Sequence, residues 1–379
     1  MTRSYLSRCR CSVLQITVIA VAFSFLLSAR PGLAADTKIP ELQAAARNGD
    51  ISQEIQLAGA YFIGRGVPQD VKMAAYWYQK AAEGGDPEAQ QEIGYMYQTG
   101  VGVPPDPARA FHWYQLAAAS GFIKAKVNLG VMYVWGIGAP RDEALAAQLF
   151  REAAAKGSGI AATYLGDMYY LGLGMKQDKS AGESWYAAAA KLHDPLAEYN
   201  LGSLLSVTRD HPRDLPAAAR LLRKSANAGY VPAMSSLGLL LTNYPELADS
   251  PEEARPWLEA AASAGSWKSS AVLGLLARDG KGTAKDPEAA YFHFEVALLQ
   301  GGEPAKRLLS NDLYVLTANL KEEQKAALDS KASAWFEQHH LVLAFVYKDG
   351  ENWKRFPASA QAAAAEGVHA GQLIPLPPA

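Results

Sequence analysis

The chain has 379 residues, of which 49% are hydrophobic and 20% are charged, and its formal net charge is −2 at pH 7. This composition excludes an intrinsically disordered chain, which would carry fewer apolar residues and a larger net charge. It also argues against a nucleic-acid-binding protein, because phosphate contacts need clustered Lys and Arg side chains.

The first 35 residues have the order of a secretory signal peptide. Three arginines precede an apolar run at 13–27, and small residues follow at Ala34 and Ala35, near which we expect cleavage. Cleavage would remove both cysteines, Cys9 and Cys11, so the mature chain would have neither a disulfide nor a thiolate ligand. It would also remove four arginines and leave 32 basic against 38 acidic residues, a net charge of about −6. The sequence therefore predicts a periplasmic or secreted protein.

An uncleaved membrane anchor is the alternative for this segment. The apolar run at 13–27 is short for a helix that spans a bilayer. We therefore expect no stable membrane insertion after signal cleavage.

An aspartate recurs every 36 residues, at a position that suits the start of a helix. The recurring residues are Asp70, Asp106, Asp142, Asp178, Asp214 and Asp286, with Ser250 at the one remaining position. Asp and Ser are good helix N-caps, and a following proline suits the first helical position. Ser250 is expected to cap in the same way, with Glu253 completing a capping box. The period predicts seven repeats whose second helices start here.

Each repeat contains two apolar segments of helical spacing separated by a turn, which predicts a helical hairpin. The first four turns have a Gly-x-Gly pattern, at Gly64–Gly66, Gly100–Gly102, Gly136–Gly138 and Gly172–Gly174. Stacked hairpins bury their apolar faces against one another, so we predict an all-α fold, a right-handed α-solenoid. The predicted organisation is a signal peptide at 1–35, an N-terminal capping helix at 36–52, seven repeats at 53–304, C-terminal capping helices at 305–340 and a non-repeat tail at 341–379.

The later repeats depart from the pattern. The sequences 208–210 and 244–246 replace the glycine turn in repeats five and six, and His293 stands where four other repeats have Trp. After the array, Asn319 is expected to cap a helix that ends near His339. The following segment from Leu341 to Tyr347 fits either a strand or a helix turn.

The repeat pattern resembles the Sel-one-like repeat family, a branch of the tetratricopeptide-like helical repeats. Repeat two carries the motif most fully, with Ala89, Gly94, Tyr97, Gly100, Gly102, Asp106, Ala110, Trp113, Ala117, Ala118 and Gly121 in the family's positions. The resemblance covers about residues 39–304. For bacterial members with a signal peptide, it implies a regulator or scaffold in the cell envelope.

The sequence predicts no catalytic, cofactor-binding or metal-binding residues. The Gly-x-Gly turns connect helices and lack the preceding strand of a dinucleotide site. His339 and His340 are adjacent on a predicted helix, so their side chains point apart and do not form a ligand pair. We therefore expect a non-catalytic protein, and a hydrolase of unrecognised type is a minor alternative.

By resemblance to tetratricopeptide arrays, a partner is expected to contact the first helix of each repeat on the concave surface. The predicted partner-binding residues are Gln91, Tyr95, Gln98, Val131, Val134, Trp135, Asp167, Tyr170 and Tyr199. Their aromatic, amide and hydroxyl groups suit a protein or peptide partner in the envelope. Two alternatives remain, which are that these residues pack between hairpins, or that Tyr95, Trp135, Tyr170 and Tyr199 stack on a glycan of the cell wall.

Overall fold

The computed structural model describes residues 39–207, 212–250, 252–281, 284–318, 320–340, 347–349 and 352–354. The predicted signal peptide, its cleavage site, the turn at 208–210 and most of the predicted tail lie outside these residues. Within the described ranges, no helix combines the length and hydropathy that crossing a membrane requires.

The described residues form sixteen α-helices, and from α2 to α12 every helix has 13 residues. The bounds are α1 Ile39–Arg47, α2 Ile51–Ile63, α3 Val71–Glu83, α4 Pro87–Thr99, α5 Pro107–Ala119, α6 Ile123–Trp135, α7 Glu143–Ala155, α8 Gly159–Leu171, α9 Lys179–Lys191, α10 Pro195–Val207, α11 Leu215–Asn227, α12 Val231–Asn243, α13 Ala254–Ser263, α14 Trp267–Asp279, α15 Pro287–Thr317 and α16 Glu322–His339. The prediction of an all-α solenoid built from helical hairpins is confirmed.

The chain divides into two compact bodies, whose described residues are 39–192 and 193–354. In the first body, α2 to α9 form four hairpins, and the second helix of each of the first three hairpins also packs against the first helix of the next repeat. In the second body, α10 to α15 repeat the arrangement, and α16 packs against α15. A single turn of 3-10 helix, Pro245–Leu247, replaces the glycine turn of repeat six.

The recurring aspartates cap the second helices, as the sequence predicts. Asp106 is typical, because its carboxylate accepts hydrogen bonds from the backbone N–H groups of Ala108 and Arg109 at 3.1 and 3.0 Å. The same arrangement is found at Asp70, Asp142, Asp178, Asp214 and Asp286. Each cap satisfies donors that the first turn of a helix leaves unpaired.

Replacing Asp106 with alanine should lower the free energy of unfolding by about 0.5 to 2 kcal/mol, because α5 loses its cap. Asp106→Asn is the matched control, since asparagine caps about as well as aspartate and removes only the charge. Urea unfolding followed by circular dichroism measures both variants. An equal loss in the two variants would assign the effect to charge and contradict the capping role.

The prediction that Ser250 caps the second helix of repeat six is wrong. Helix α13 begins at Ala254 with Glu253 as its N-cap, and no side chain accepts a capping hydrogen bond from its first turn. Instead the Glu253 carboxylate accepts from Arg223 Nε at 2.7 Å and from Arg223 Nη2 at 2.9 Å, and it also accepts from the backbone N–H of Asp249 at 2.7 Å. The start of this helix is thus fixed by a two-point ion pair to the preceding repeat.

The second glycine of the turn lies against the preceding repeat. At Gly138 the φ angle is +70°, and a Cβ atom would lie 2.2 Å from the carbonyl oxygen of Pro107, the first residue of α5. At Gly102, a Cβ atom would lie 2.1 Å from the carbonyl oxygen of Val71, the first residue of α3. A side chain at these positions would force neighbouring repeats apart, which explains why the pattern requires glycine.

The C-terminal region differs in detail from the prediction. Helix α15 runs from the second helix of repeat seven into the predicted capping region, with a kink at Gly302, where φ is +55°. Helix α16 ends at His339 as predicted, but its N-cap is Lys321 rather than Asn319. Beyond it, strands β1 Tyr347–Asp349 and β2 Asn352–Lys354 pair in an antiparallel manner.

Candidate partner-binding face

The first helices of repeats two, three and four are buried over most of their length. Every residue of 89–97 in α4 is buried, as are 127–132 in α6 and 161–168 in α8. Within its buried stretch, α4 includes Gln91, which is 4% exposed, and Glu92, which is 8% exposed. Burying such polar groups costs free energy unless they find hydrogen-bond partners, so packing alone does not account for them.

The hydroxyl of Tyr114, on α5, is the centre of a buried polar cluster in the first body. It donates a hydrogen bond to Gln98 Oε1 at 2.7 Å and lies beside the amide of Asn128. Burial, with smaller contributions from Tyr95 and Glu92, raises the pKa of this hydroxyl well above its ordinary value. We call Glu92, Tyr95, Gln98, Tyr114 and Asn128 the Tyr114 cluster. It joins side chains of repeats two and three.

The acidic member of the cluster is protonated more readily than an ordinary carboxyl. Burial raises the pKa of Glu92 to about 8; Lys124, on the neighbouring first helix, opposes the rise, and Glu88 adds to it. Burial and the Glu92 carboxyl together raise the pKa of Tyr95 to about 12. Near neutral pH the cluster is therefore largely uncharged and offers both hydrogen-bond donors and acceptors.

Some polar atoms of this region have no hydrogen-bond partner among the described residues. They are Gln91 Oε1 and Glu92 Oε2 on α4, and Asn128 Nδ2 on α6. The Asn128 amide lies beside the Tyr114 hydroxyl, but Nδ2 does not meet the geometry of a hydrogen bond. Most buried polar groups in folded proteins are satisfied, so each exception calls for an explanation. All three atoms are shielded from solvent by the packed helices, so they belong to the interior of the array and not to its accessible surface.

A second polar group lies on α8 in repeat four. The Tyr186 hydroxyl donates to Asp167 Oδ1 at 2.5 Å, and the rings of Tyr170 and Tyr186 have centroids 6.4 Å apart. Burial, followed by the adjacent Asp167 carboxylate, raises the pKa of Tyr186. Lys179 Nζ lies 5.8 Å from the centre of the Tyr170 ring. Tyr170, which is only half-buried, gives this group a ring that solvent reaches.

The structure places the predicted residues at different depths. Gln91, Tyr95, Val131, Val134 and Asp167 are buried. Gln98, Tyr170 and Tyr199 are half-buried, whereas Trp135 is 41% exposed at the end of α6. Among the predicted residues of the first body, the accessible ones thus lie at the C-terminal ends of the first helices, next to the turns.

Three of the predicted residues also have packing roles. Val131 and Val134 belong to an apolar cluster with Phe150. Tyr199 lies in the second body, where its ring packs edge-on against Tyr230 with centroids 5.3 Å apart. For these residues a role in partner binding stays a prediction.

Sequence reasoning missed Glu92 and Asn128. Glu92 lies two residues before Gly94, and Asn128 lies two residues before Gly130. The positions taken from tetratricopeptide arrays did not include this one. The available signal was periodic, because Gln56, Glu92, Asn128 and Asn200 recur at intervals of 36 residues with Tyr164 between the last two. This repetition of polar side chains inside apolar helices could have identified the buried polar row from the sequence.

The face offers hydrogen-bonding groups rather than metal ligands. Across the ranges that the structure describes, no group of three or more His, Cys, Asp or Glu side chains could hold a metal ion. The arrangement is suited to recognition through amide, carboxyl and hydroxyl groups.

The chain is similar to solved structures of bacterial proteins. A Sel1 repeat protein from Oxalobacter formigenes has 30% sequence identity and a TM-score of 0.52, and the match covers 56% of this chain and 85% of that chain. A protective antigen of uropathogenic Escherichia coli with an SLR fold has 23% identity and a TM-score of 0.45, covering 89% of this chain and 74% of that chain.

A search of the curated proteins gives no match. The family model for the Sel1 repeat matches residues 54–86, 87–122, 123–158, 159–194, 195–230, 233–266 and 269–302, which together make up well over half of the chain. The chain belongs to the Sel1 repeat family.

Proposed function

We propose that this protein is a non-catalytic scaffold in the bacterial cell envelope, which binds an extended peptide segment of a protein partner along the first helices of repeats two to four. Sel1 repeats commonly mediate protein interactions. The observation that carries the proposal is the row of accessible side chains at the C-terminal ends of three consecutive first helices, namely Gln98, Trp135 and Tyr170. The envelope location rests on the predicted signal peptide.

An extended peptide matches the chemistry of this row. Its backbone presents N–H donors and C=O acceptors in alternation, so it can accept a hydrogen bond from the Gln98 amide and exchange one with the Tyr170 hydroxyl. The buried Tyr114 cluster holds Gln98 in place, because the Tyr114 hydroxyl donates to Gln98 Oε1 at 2.7 Å.

Accessible aromatic residues would add anchoring energy at the edge of this face. Trp135 and Tyr170 both lie near the turns at the ends of their helices, and aromatic side chains dominate the energetics of many interfaces. Exposure of the Trp135 indole is the one observation that favours a glycan instead, since a sugar could stack on that ring. Tyr95, at 8% exposure, presents no ring face for stacking.

Site-specific photocrosslinking in living cells tests the proposal. A photoreactive amino acid at Gln98, on the first-helix face, should form a covalent adduct with one protein, whereas the same amino acid at Leu116, an exposed residue of the second helix α5, should not. Tyr170→Glu should reduce the adduct by about tenfold or more, because a charge replaces an aromatic contact. Tyr76→Glu is the matched control, since Tyr76 is 50% exposed on the second helix α3.

The results separate the alternatives. An adduct to polysaccharide, in place of protein, would support the glycan hypothesis. Equal adducts from Gln98 and Leu116, or equal effects of the two tyrosine substitutions, would contradict binding through the first helices.

A further inference from the structure

One position of the repeat changes its residue type in the second body. Trp77, Trp113, Trp185 and Trp257 stand seven residues after the capping aspartate or its equivalent, and His293 takes this place in repeat seven. An imidazole is much smaller than an indole. The substitution therefore removes volume from a position that an aromatic side chain fills in most other repeats.

A cavity of 510 Å³ lies beside His293. It is bounded by α13, α14, α15 and α16, all in the second body, and it is separate from the face proposed above for the partner. Its volume falls within the usual range of small-molecule sites. The apolar part of its lining includes Ala260, Leu273 and Val296.

Aromatic rings form two sides of this cavity. Phe292, next to His293 on α15, has Lys331 Nζ 5.0 Å from its ring centre. Trp335, on α16, stacks on His339 with ring centroids 4.0 Å apart and planes inclined by 17°. Because the two rings are already held by these contacts, they offer pre-formed surfaces to a planar ligand.

His293 supplies a polar group that keeps its neutral form. Burial, and to a smaller extent the cations Arg255 and Lys331, lower the pKa of His293 to about 4, while Asp286 opposes them. A neutral imidazole has one N–H donor and one acceptor nitrogen. The site can thus accept or donate one hydrogen bond through His293, next to the polar lining residues Glu259, Ser263 and Ser270.

The charges around the cavity are compensated. Arg255 Nε lies 3.5 Å from Glu259 Oε1, and Glu259 itself lines the cavity. Lys331 interacts with the Phe292 ring. An uncharged ligand therefore suits the site better than an anion or a cation, for which these partners would compete.

We propose that this cavity binds a small, uncharged, planar aromatic molecule of about the size of indole that carries one hydrogen-bonding group. The ring would lie against Phe292 and Trp335, and its polar atom would meet the His293 imidazole. The ligand would occupy the part of the cavity next to position 293, where four other repeats have tryptophan, at a place in the fold that the partner-binding proposal does not use.

Titration of the full chain with indole tests this inference by two-dimensional NMR of labelled histidine and tryptophan side chains. Indole should shift the His293 ring and Trp335 indole signals in a saturable manner. His293→Trp should abolish these shifts at Trp335, because the new indole would occupy the place of the ligand next to Phe292 and Trp335. Leu221→Trp is the matched control, since it puts the same side chain at the same repeat position in repeat five and leaves the cavity unchanged.

A second variant, Trp335→Ala, tests the proposal independently in case His293→Trp does not fold. Trp335→Ala removes one side of the cavity without adding volume, and it should weaken indole binding by about tenfold. Circular dichroism checks that each variant keeps its helices. The absence of shifts in the wild type up to the solubility limit of indole would overturn the proposal, as would unchanged affinity in His293→Trp or Trp335→Ala.

Discussion

Replacing Gly138 with alanine is expected to lower the free energy of unfolding by about 2 to 5 kcal/mol, a large loss for the addition of one methyl group. Two causes combine. The positive φ of +70° is unfavourable for a residue with a Cβ atom, and that atom would lie 2.2 Å from the Pro107 carbonyl oxygen. The backbone of repeat two cannot move away without weakening its packing on repeat three. Urea unfolding followed by circular dichroism measures the loss.

Gly121→Ala is the matched control for this experiment. Gly121 also has a positive φ, +82°, but a Cβ atom there would have no other atom within 4 Å. Only the conformational cost, about 1 to 2 kcal/mol, should appear. Equal losses in the two variants would show that the close approach between repeats contributes nothing.

The second large effect is a change of stability with pH, caused by Glu92. Its pKa is about 8 in the folded protein and 4.5 in the unfolded chain. Because the folded state prefers the protonated form, the stability contributed by this group is complete below the unfolded pKa and is lost as pH rises through the folded pKa. Between about pH 5 and about pH 8 the wild type should lose about 3 kcal/mol from this group.

Glu92→Gln keeps the shape of the side chain and cannot ionise, so its stability should change less over this interval. Urea unfolding at both pH values measures the difference between the variant and the wild type, and this difference isolates Glu92 from the other titrating groups. Glu83→Gln is the control, because Glu83 is exposed on the preceding helix α3 and does not contribute to the pKa of Glu92. The same dependence on pH in wild type and Glu92→Gln would contradict a buried ionisable carboxyl.

The period in the sequence predicted the hairpins because each repeat uses local chemistry. An aspartate N-cap, such as Asp106, and a glycine turn act within a few residues, so the pattern alone places the start and the end of a helix. Ser250 was predicted wrongly for the opposite reason. The start of α13 depends on Arg223, thirty residues before Glu253, and no local pattern shows that contact.

The candidate site was predicted less well than the fold. The sequence identified the first helices as the face for a partner, but it did not show that 89–97 are buried on every side. Burial depends on the packing of several helices, which periodicity within one helix does not reveal. Glu92 was missed because its unsatisfied oxygen and its raised pKa arise only from that burial.

The ion pair between Arg223 and Glu253 has a consequence for how such an array can change its length. Repeats joined only by equivalent contacts can be duplicated or deleted as modules, because every new junction resembles the old ones. Arg223 and Glu253 are only 21% and 14% exposed, and each depends on the other across one specific junction. Recombination that separated them would leave a largely buried charge without its partner. Repeats five and six should therefore be inherited as one piece, while copy number can vary more freely among the repeats before them.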